Sequence, residues 1–283
     1  MRILGDANRS DLLVAARSAL LDALGALDAH RDAVVVIGAQ AIYLRTNAAP
    51  VALAEATKDS DLALDPRRLS DDPRLEHAMV AAGFSRDPIS NQPGAWVSPA
   101  GIPVDLMVPE ALAGTGGKGA RGARIPPHSK LAARRARGLE AAVIDNGPME
   151  IAALASGDHR RYTVRVAGPA ALLVSKLHKI GERVGSPDRL NDKDAHDIYR
   201  ILIDVGIEQL AAAFKTLLAE ELCASTATEA IEHLRRLFAA GPRALGAVMA
   251  GRAEEGIGEP TTVALSVSLL ASDLVNAIVI GGE

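Results

Sequence analysis

The segment Asp59-Ser60-Asp61-Leu62-Ala63-Leu64 constrains this chain more than any other. In an extended segment side chains two apart point the same way, so Asp59 and Asp61 share one face while Ser60, Leu62 and Leu64 share the other. Two close carboxylates repel, and each raises the other's pKa unless a cation sits between them. A hard divalent cation is the usual remedy. Mg²⁺ takes oxygen ligands and is commonly held by one or two carboxylates plus substrate phosphates. A second strand-like run, Ile102 to Val108, carries Asp105 and can lie beside the first. The candidate metal ligands are therefore Asp59, Asp61 and Asp105, converging on Mg²⁺ (or Mn²⁺).

The surrounding pattern is mixed. Asp11 to Leu27 repeats apolar residues at helical spacing. Val34-Val35-Val36-Ile37 is a β-branched run ending at Gly38, and Ala39 to Arg45 can form a short helix. A strand that runs into a glycine at a helix start lets backbone N–H groups approach a phosphate. Asp72 to Ala82 reads as a helix ending at Gly83, and Gly94 to Ser98 as a strand that turns into the Asp105 strand. Ala141 to Ile144 and Met149 to Ala152 read as strands joined through Asp145-Asn146-Gly147, followed by a strand from Tyr162 to Val166. After Gly168-Pro169 almost everything is helical: 170–184, 192–205, 207–222, 226–239, 243–252 and 261–280. The expectation is an α/β (α+β) chain, with a mixed-sheet core over 1–167 and a helical lobe over 168–283.

Gly38-Ala39-Gln40-Ala41 through Arg45, followed by Thr57-Lys58-Asp59-Ser60-Asp61 and by Asp105 on a neighbouring run, resembles the nucleotidyltransferase superfamily. More narrowly, it is similar to the AbiEii and MenT nucleotidyltransferase-like toxins of type IV toxin–antitoxin systems. Ala39 stands where the superfamily has Gly or Ser beside the nucleotide phosphates. A second motif of those toxins, a lysine and arginine followed by Lys-Asp-x-x-Asp, is matched by Lys176, Lys179 and Arg183 on one helical face and by Lys193-Asp194 through Asp197 on the next helix. The resemblance implies that Asp59, Asp61 and Asp105 are catalytic and metal-binding. It implies that Gly38, Ala39, Arg45, Thr57, Lys176, Lys179 and Arg183 bind the nucleotide. Lys176 would contact triphosphate, and Asp194 or Asp197 would orient that lysine or act in catalysis. Read from charge alone, the same residues simply pair across two antiparallel helices.

Other features narrow the reading. Among the 283 residues a single cysteine, Cys223, excludes an intrachain disulfide and a cysteine zinc cluster. The start lacks a long apolar core, and the expected location is cytoplasmic. Residues 261–280 are apolar enough to span a membrane but contain Asp273 and Asn276, which favours a buried terminal helix and no membrane partner. Gly114 to Gly119 is no P-loop, because Leu112 replaces the first glycine and Gly119 the Mg²⁺-binding Ser or Thr. His196-Asp197 lacks the companion ligands of an HD phosphohydrolase.

The net charge is −4, yet between Ala111 and Leu139 there is no acidic residue, while Lys118, Arg121, Arg124, Lys130, Arg134, Arg135 and Arg137 are basic. This segment reads as a phosphate-binding surface for RNA or a triphosphate, or as a solvated loop with a flexible glycine-rich first half, and the two are compatible because a loop can order on its ligand. The resemblance implies transfer of a nucleoside monophosphate from an NTP to the 3′ end of tRNA, with a cognate antitoxin as partner. Two alternatives stand beside it: a protein or small-molecule acceptor, and a catalytically silent fold that binds RNA or a partner.

Overall fold

The structure is a computed structural model that describes residues 3–46, 59–116 and 119–280, with side chains described from residue 11 to 279. Thr57, Lys58 and Lys118 lie outside the described residues. Two compact units emerge, and neither is a continuous stretch of chain. One comprises Met1–Ala41, Ala56–Leu139 and Asn146–Ala167, the other Ile42–Glu55, Glu140–Asp145 and Gly168–Glu283.

The first unit is built on a mixed eight-stranded sheet. Helix α1 (Ile3–Ala26) leads through a short 3-10 turn into β1 (Val34–Ile37), and α2 (Gly38–Arg45) begins at once. Then come β2 (Ser60–Leu64), α3 (Leu75–Ala81), β3 (Ser85–Arg86), β4 (Ala95–Val97), β5 (Pro103–Pro109), β6 (Arg134–Ala136), β7 (Asn146–Ala152) and β8 (Arg161–Ala167). The strand order is β3-β4-β5-β2-β1-β8-β7, with β6 also paired to β5. β2 runs antiparallel to β1 and parallel to β5, and β1 runs parallel to β8. Every one of β1's four residues is buried, as expected for the centre of a sheet covered on both faces.

The alternation in β2 decides which face does what. Ser60, Leu62 and Leu64 are fully buried, and the Ser60 hydroxyl donates to the Ala16 carbonyl of α1 at 3.0 Å. Asp61 is on the opposite face. Arg17, buried in α1, donates to the Gln40 side chain at 3.1 Å and to the Ala152 carbonyl at 3.1 Å, which ties the first turn of α2 to the sheet.

The second unit is helical. It contains α4 (Pro169–Gly181), α5 (Asp192–Asp204), α6 (Ile207–Ala219), α7 (Ala224–Leu234) with a π turn after it, α8 (Leu245–Arg252) and α9 (Pro260–Ile280). Phe214 and Phe238 anchor its core, and Gly246 is needed because a Cβ there would enter the Phe238 ring. Helix α9 is long and apolar enough to cross a membrane by length and composition alone. Here it buries Val263, Val267, Ala271, Leu274 and Ile278 against α5, α6 and α8.

Two expectations are corrected. Ala141 to Ile144 is no strand, because Glu140–Val143 forms a 3-10 turn. Asn146-Gly147 makes no hairpin turn either: both belong to β7, and Asp145 instead accepts the Ala171 N–H at 3.0 Å, capping the start of α4. Gly168 permits this approach, since a Cβ there would collide with the Asp145 carboxylate. Burial pushes the Asp145 carboxyl upward, against the Ala171 N–H and Arg45.

Candidate active site

The sheet brings two of the sequence-marked carboxylates together. Asp61 and Asp105 are paired residues on adjacent parallel strands, so their side chains leave the same face. Asp59 directly precedes β2, and its charge acts on Asp105. On the other side of Asp61, β1 ends where Gly38 takes a φ of +68°, a left-handed conformation that favours glycine. The carboxylate of Asp61 packs against Gly38, and a Cβ at 38 would collide with its Oδ2. The strand-to-helix turn and the acidic strand are therefore one local structure. Ala39, next in the turn, is buried.

Asp105 has a cation of its own. Met107 is paired with Arg134 on β6, which puts the Arg134 side chain on the Asp105 face. Its guanidinium lies 2.8 Å from Asp105 Oδ2 and 3.1 Å from the Met107 sulfur. Burial pushes the Asp105 carboxyl above its ordinary value; Arg134 opposes this, while Asp59 and Asp87 add to it. Carboxylate oxygens are hard donors, and Asp59 with Asp61 suits a divalent cation chemically. Among the described residues no three His, Cys, Asp or Glu side chains form a metal-holding group. Asp105 is thus paired with Arg134 while it also feels the charge of Asp59.

The second motif lies in the helical unit and is closed on itself. Lys176 Nζ donates to Asp194 Oδ1 and to Asp197 Oδ2, each at 2.7 Å, and all three residues are buried. Lys179 donates to the same Asp194 oxygen at 2.9 Å, and Arg183 lies 3.8 Å from the other. Burial would lower the Lys176 pKa, but Asp194 and Asp197 outweigh it and raise it. Burial would likewise raise Asp194, yet Lys176 and Lys179 hold it well below the usual carboxylate range. Asn191 caps α5 by accepting the Lys193 N–H, which fixes the turn that presents Asp194.

Three further residues surround this motif, of which only Arg200 carried no sequence signal. Lys193 sits 3.8 Å from Asp197 and 5.7 Å from the centre of the Tyr43 ring. Its i, i+4 spacing to Asp197 was the available clue. Arg200, buried, donates to the Thr46 hydroxyl at 2.8 Å and fastens the end of α2 within this unit. Arg45, in the last turn of α2, is partly desolvated, which lowers its pKa against the pull of Asp145. His196, read as an ordinary helix residue, forms a buried 2.6 Å pair with Glu254.

The second half of the basic segment is packed, while Gly114, Thr115, Gly116, Gly119 and Arg121 in its glycine-rich first half are exposed. Ala113, Ala123, Ile125, Ala132 and Ala133 are buried, Ala123 N–H donates to Ala133, and Arg124 N–H donates to Ala113. Arg121, Arg124 and Lys130 remain exposed. Arg134 pairs with Asp105, Arg135 donates to the Gly114 carbonyl at 2.7 Å, and Arg137 lies 3.5 Å from Glu110.

A mixed sheet in which a strand enters a glycine-opened helix beside an acidic strand, followed by a helical region, is consistent with a nucleotidyltransferase fold. The sequence model of the family described as Nucleotidyltransferase matches residues 16–223, and the chain belongs to that family. The matched stretch runs from α1 through α5 and α6 to Cys223, so it includes both motifs. No curated protein and no solved structure matches the chain.

Proposed function

We propose that this nucleotidyltransferase is metal-dependent and transfers a nucleoside monophosphate from an NTP to the 3′ end of tRNA. The observation that carries the reading is the row formed by Gly38, Asp61 and Asp105: a phosphate-accommodating turn, then two carboxylates on one sheet face. Asp59 and Asp61 would hold Mg²⁺ (or Mn²⁺), which supplies charge neutralisation at the phosphates when bound. Asp105, with its carboxyl raised by burial, suits the base that takes the proton of the acceptor hydroxyl. The acceptor oxygen bonds to the α-phosphorus, the bond to the bridging oxygen breaks, and pyrophosphate leaves.

For Lys179, Arg183 and Lys193 we propose phosphate binding, on charge and position beside Asp194 and Asp197. Lys176, enclosed by those carboxylates, is a positioning residue rather than the phosphate contact. The exposed Arg121, Arg124 and Lys130 are the candidates for tRNA phosphate contacts. A toxin role with a cognate antitoxin rests on the motif resemblance. Because Arg134, Arg135 and Arg137 have internal partners, a smaller acceptor is the second reading.

Incubating the protein with Mg²⁺, total tRNA and each α-labelled NTP in turn, beside Asp61→Ala, tests both. Label in tRNA only with the intact protein supports the proposal and names the nucleotide. Label in protein or in a small acceptor instead selects the second reading, and no transfer at all overturns catalysis.

A further inference from the structure

The cation on Asp105 has a structural cause. β6 pairs with β5 so that Arg134 is opposite Met107, one alternation along from Asp105 on the same face. A long side chain at that register reaches back to the carboxylate, and the 2.8 Å contact realises it. The backbone around it is fixed: Gly122 bridges to Arg134, and the Arg135 N–H donates to Arg121 at 2.9 Å. Gly94 closes the other side, because a Cβ there would run into the Arg134 backbone nitrogen. Trp96, fully buried on β4, donates its indole N–H to the Ala132 carbonyl at 3.0 Å and locks the approach to β6. The arginine is thus delivered by the fold. A surface charge that settled on the nearest acid would need none of these contacts.

We propose that Arg134 is the built-in counter-cation of Asp105 and stands in for a second divalent ion, so that the site takes a single metal at Asp59 and Asp61. This rests on the carboxylate site proposed above and fixes its metal count at one. A guanidinium paired with one carboxylate oxygen neutralises that carboxylate without the hydration cost of a divalent ion. It still leaves the second Asp105 oxygen to accept a proton. Removing Arg134 strips the cation from a desolvated carboxylate that already feels Asp59. The acid cluster then attracts divalent ions more strongly.

Mn²⁺ binding to the full chain, followed by electron paramagnetic resonance of the free ion, reads this without any turnover. The wild type is expected to bind one Mn²⁺, lost in Asp61→Asn. Arg134→Gln is expected to bind a second ion, or to bind the first at least about tenfold more tightly. Arg134→Lys should restore the wild-type count, and Asp105→Asn placed in the Arg134→Gln background should abolish the gain. A purely structural role for Arg134 would move the melting temperature without changing the Mn²⁺ count, and circular dichroism melts of each variant separate the two. Wild type and Arg134→Gln binding one ion equally, with Asp61→Asn binding none, would overturn the stand-in role and leave the carboxylate site standing. No Mn²⁺ on either chain would overturn both.

Discussion

The two charged clusters are opposites. On the sheet, Asp61 and Asp105 open from one face, Asp105 keeps 22% side-chain exposure, and it has one arginine near it. Between α4 and α5, Asp194 and Asp197 are almost fully buried and have lysines on several sides. In the first cluster Asp105 is raised by burial and by the charge of Asp59, with Arg134 opposing both. The second has its charges satisfied within the protein. Two charged motifs can therefore look alike in sequence and differ in how deeply the fold buries them.

The largest effect should separate them by what is lost. Asp61→Asn is expected to lower nucleotide transfer about 10³-fold or more. It should leave urea-unfolding stability unchanged, or raise it by up to about 1 kcal/mol, because a like-charge contact is relieved. Lys176→Met should do the reverse as a stability effect. It leaves two carboxylates buried without their central cation, and loss of one partner from a buried pair costs about 3–5 kcal/mol. The triple variant Lys176→Met, Asp194→Asn, Asp197→Asn should recover most of that loss. A Lys176→Met protein that melts like the wild type would break the contrast.

Gly38→Ala is the next test, and it acts on the sheet cluster through the backbone. A left-handed residue with a Cβ costs about 1–2 kcal/mol, and here the Cβ also strikes the Asp61 carboxylate. Unfolding and transfer assays should both fall. Transfer should fall further than stability, because the displaced group is the carboxylate itself.

Much of this was legible from local pattern. The alternation in β2 assigns Asp61 and Ser60 to opposite faces without any structure, and the helices after Gly168 follow from apolar spacing. What escaped is non-local. Ala141 to Ile144 has strand composition, but Asp145 folds back to cap α4, and that tertiary contact outweighs propensity. The glycines of the basic segment all look flexible, yet two are small because neighbouring backbones approach closely: Cβ atoms at Gly114 and Gly122 would strike backbone carbonyls. Arg134 belonged to a run of basic residues, and only the β5–β6 register picks it out as the partner of Asp105. The division into units is also discontinuous, with Glu140–Asp145 grouped with the helices, which one cut at Ala167 cannot express.

The smallest effect is a pH dependence of opposite sign in the two clusters. Asp105 has a carboxyl raised above its ordinary 3.8, so its stabilising contribution is present below that value and lost as pH rises through the shifted one. Asp194 is lowered from the same 3.8, so its contribution is present above it and lost as pH falls through the shifted value. Asp105→Asn should therefore match the wild type in urea unfolding near pH 4 and exceed it by about 1 kcal/mol or less near pH 7.5. Arg134, at 29% side-chain exposure, can keep water when its partner becomes neutral. Asp194→Asn should be weaker than the wild type at both values, its deficit shrinking only under stronger acid. Should Asp105→Asn instead lose stability as the pH rises, the Arg134 pair would outweigh burial, and the sheet cluster would be held together much as the helical one is.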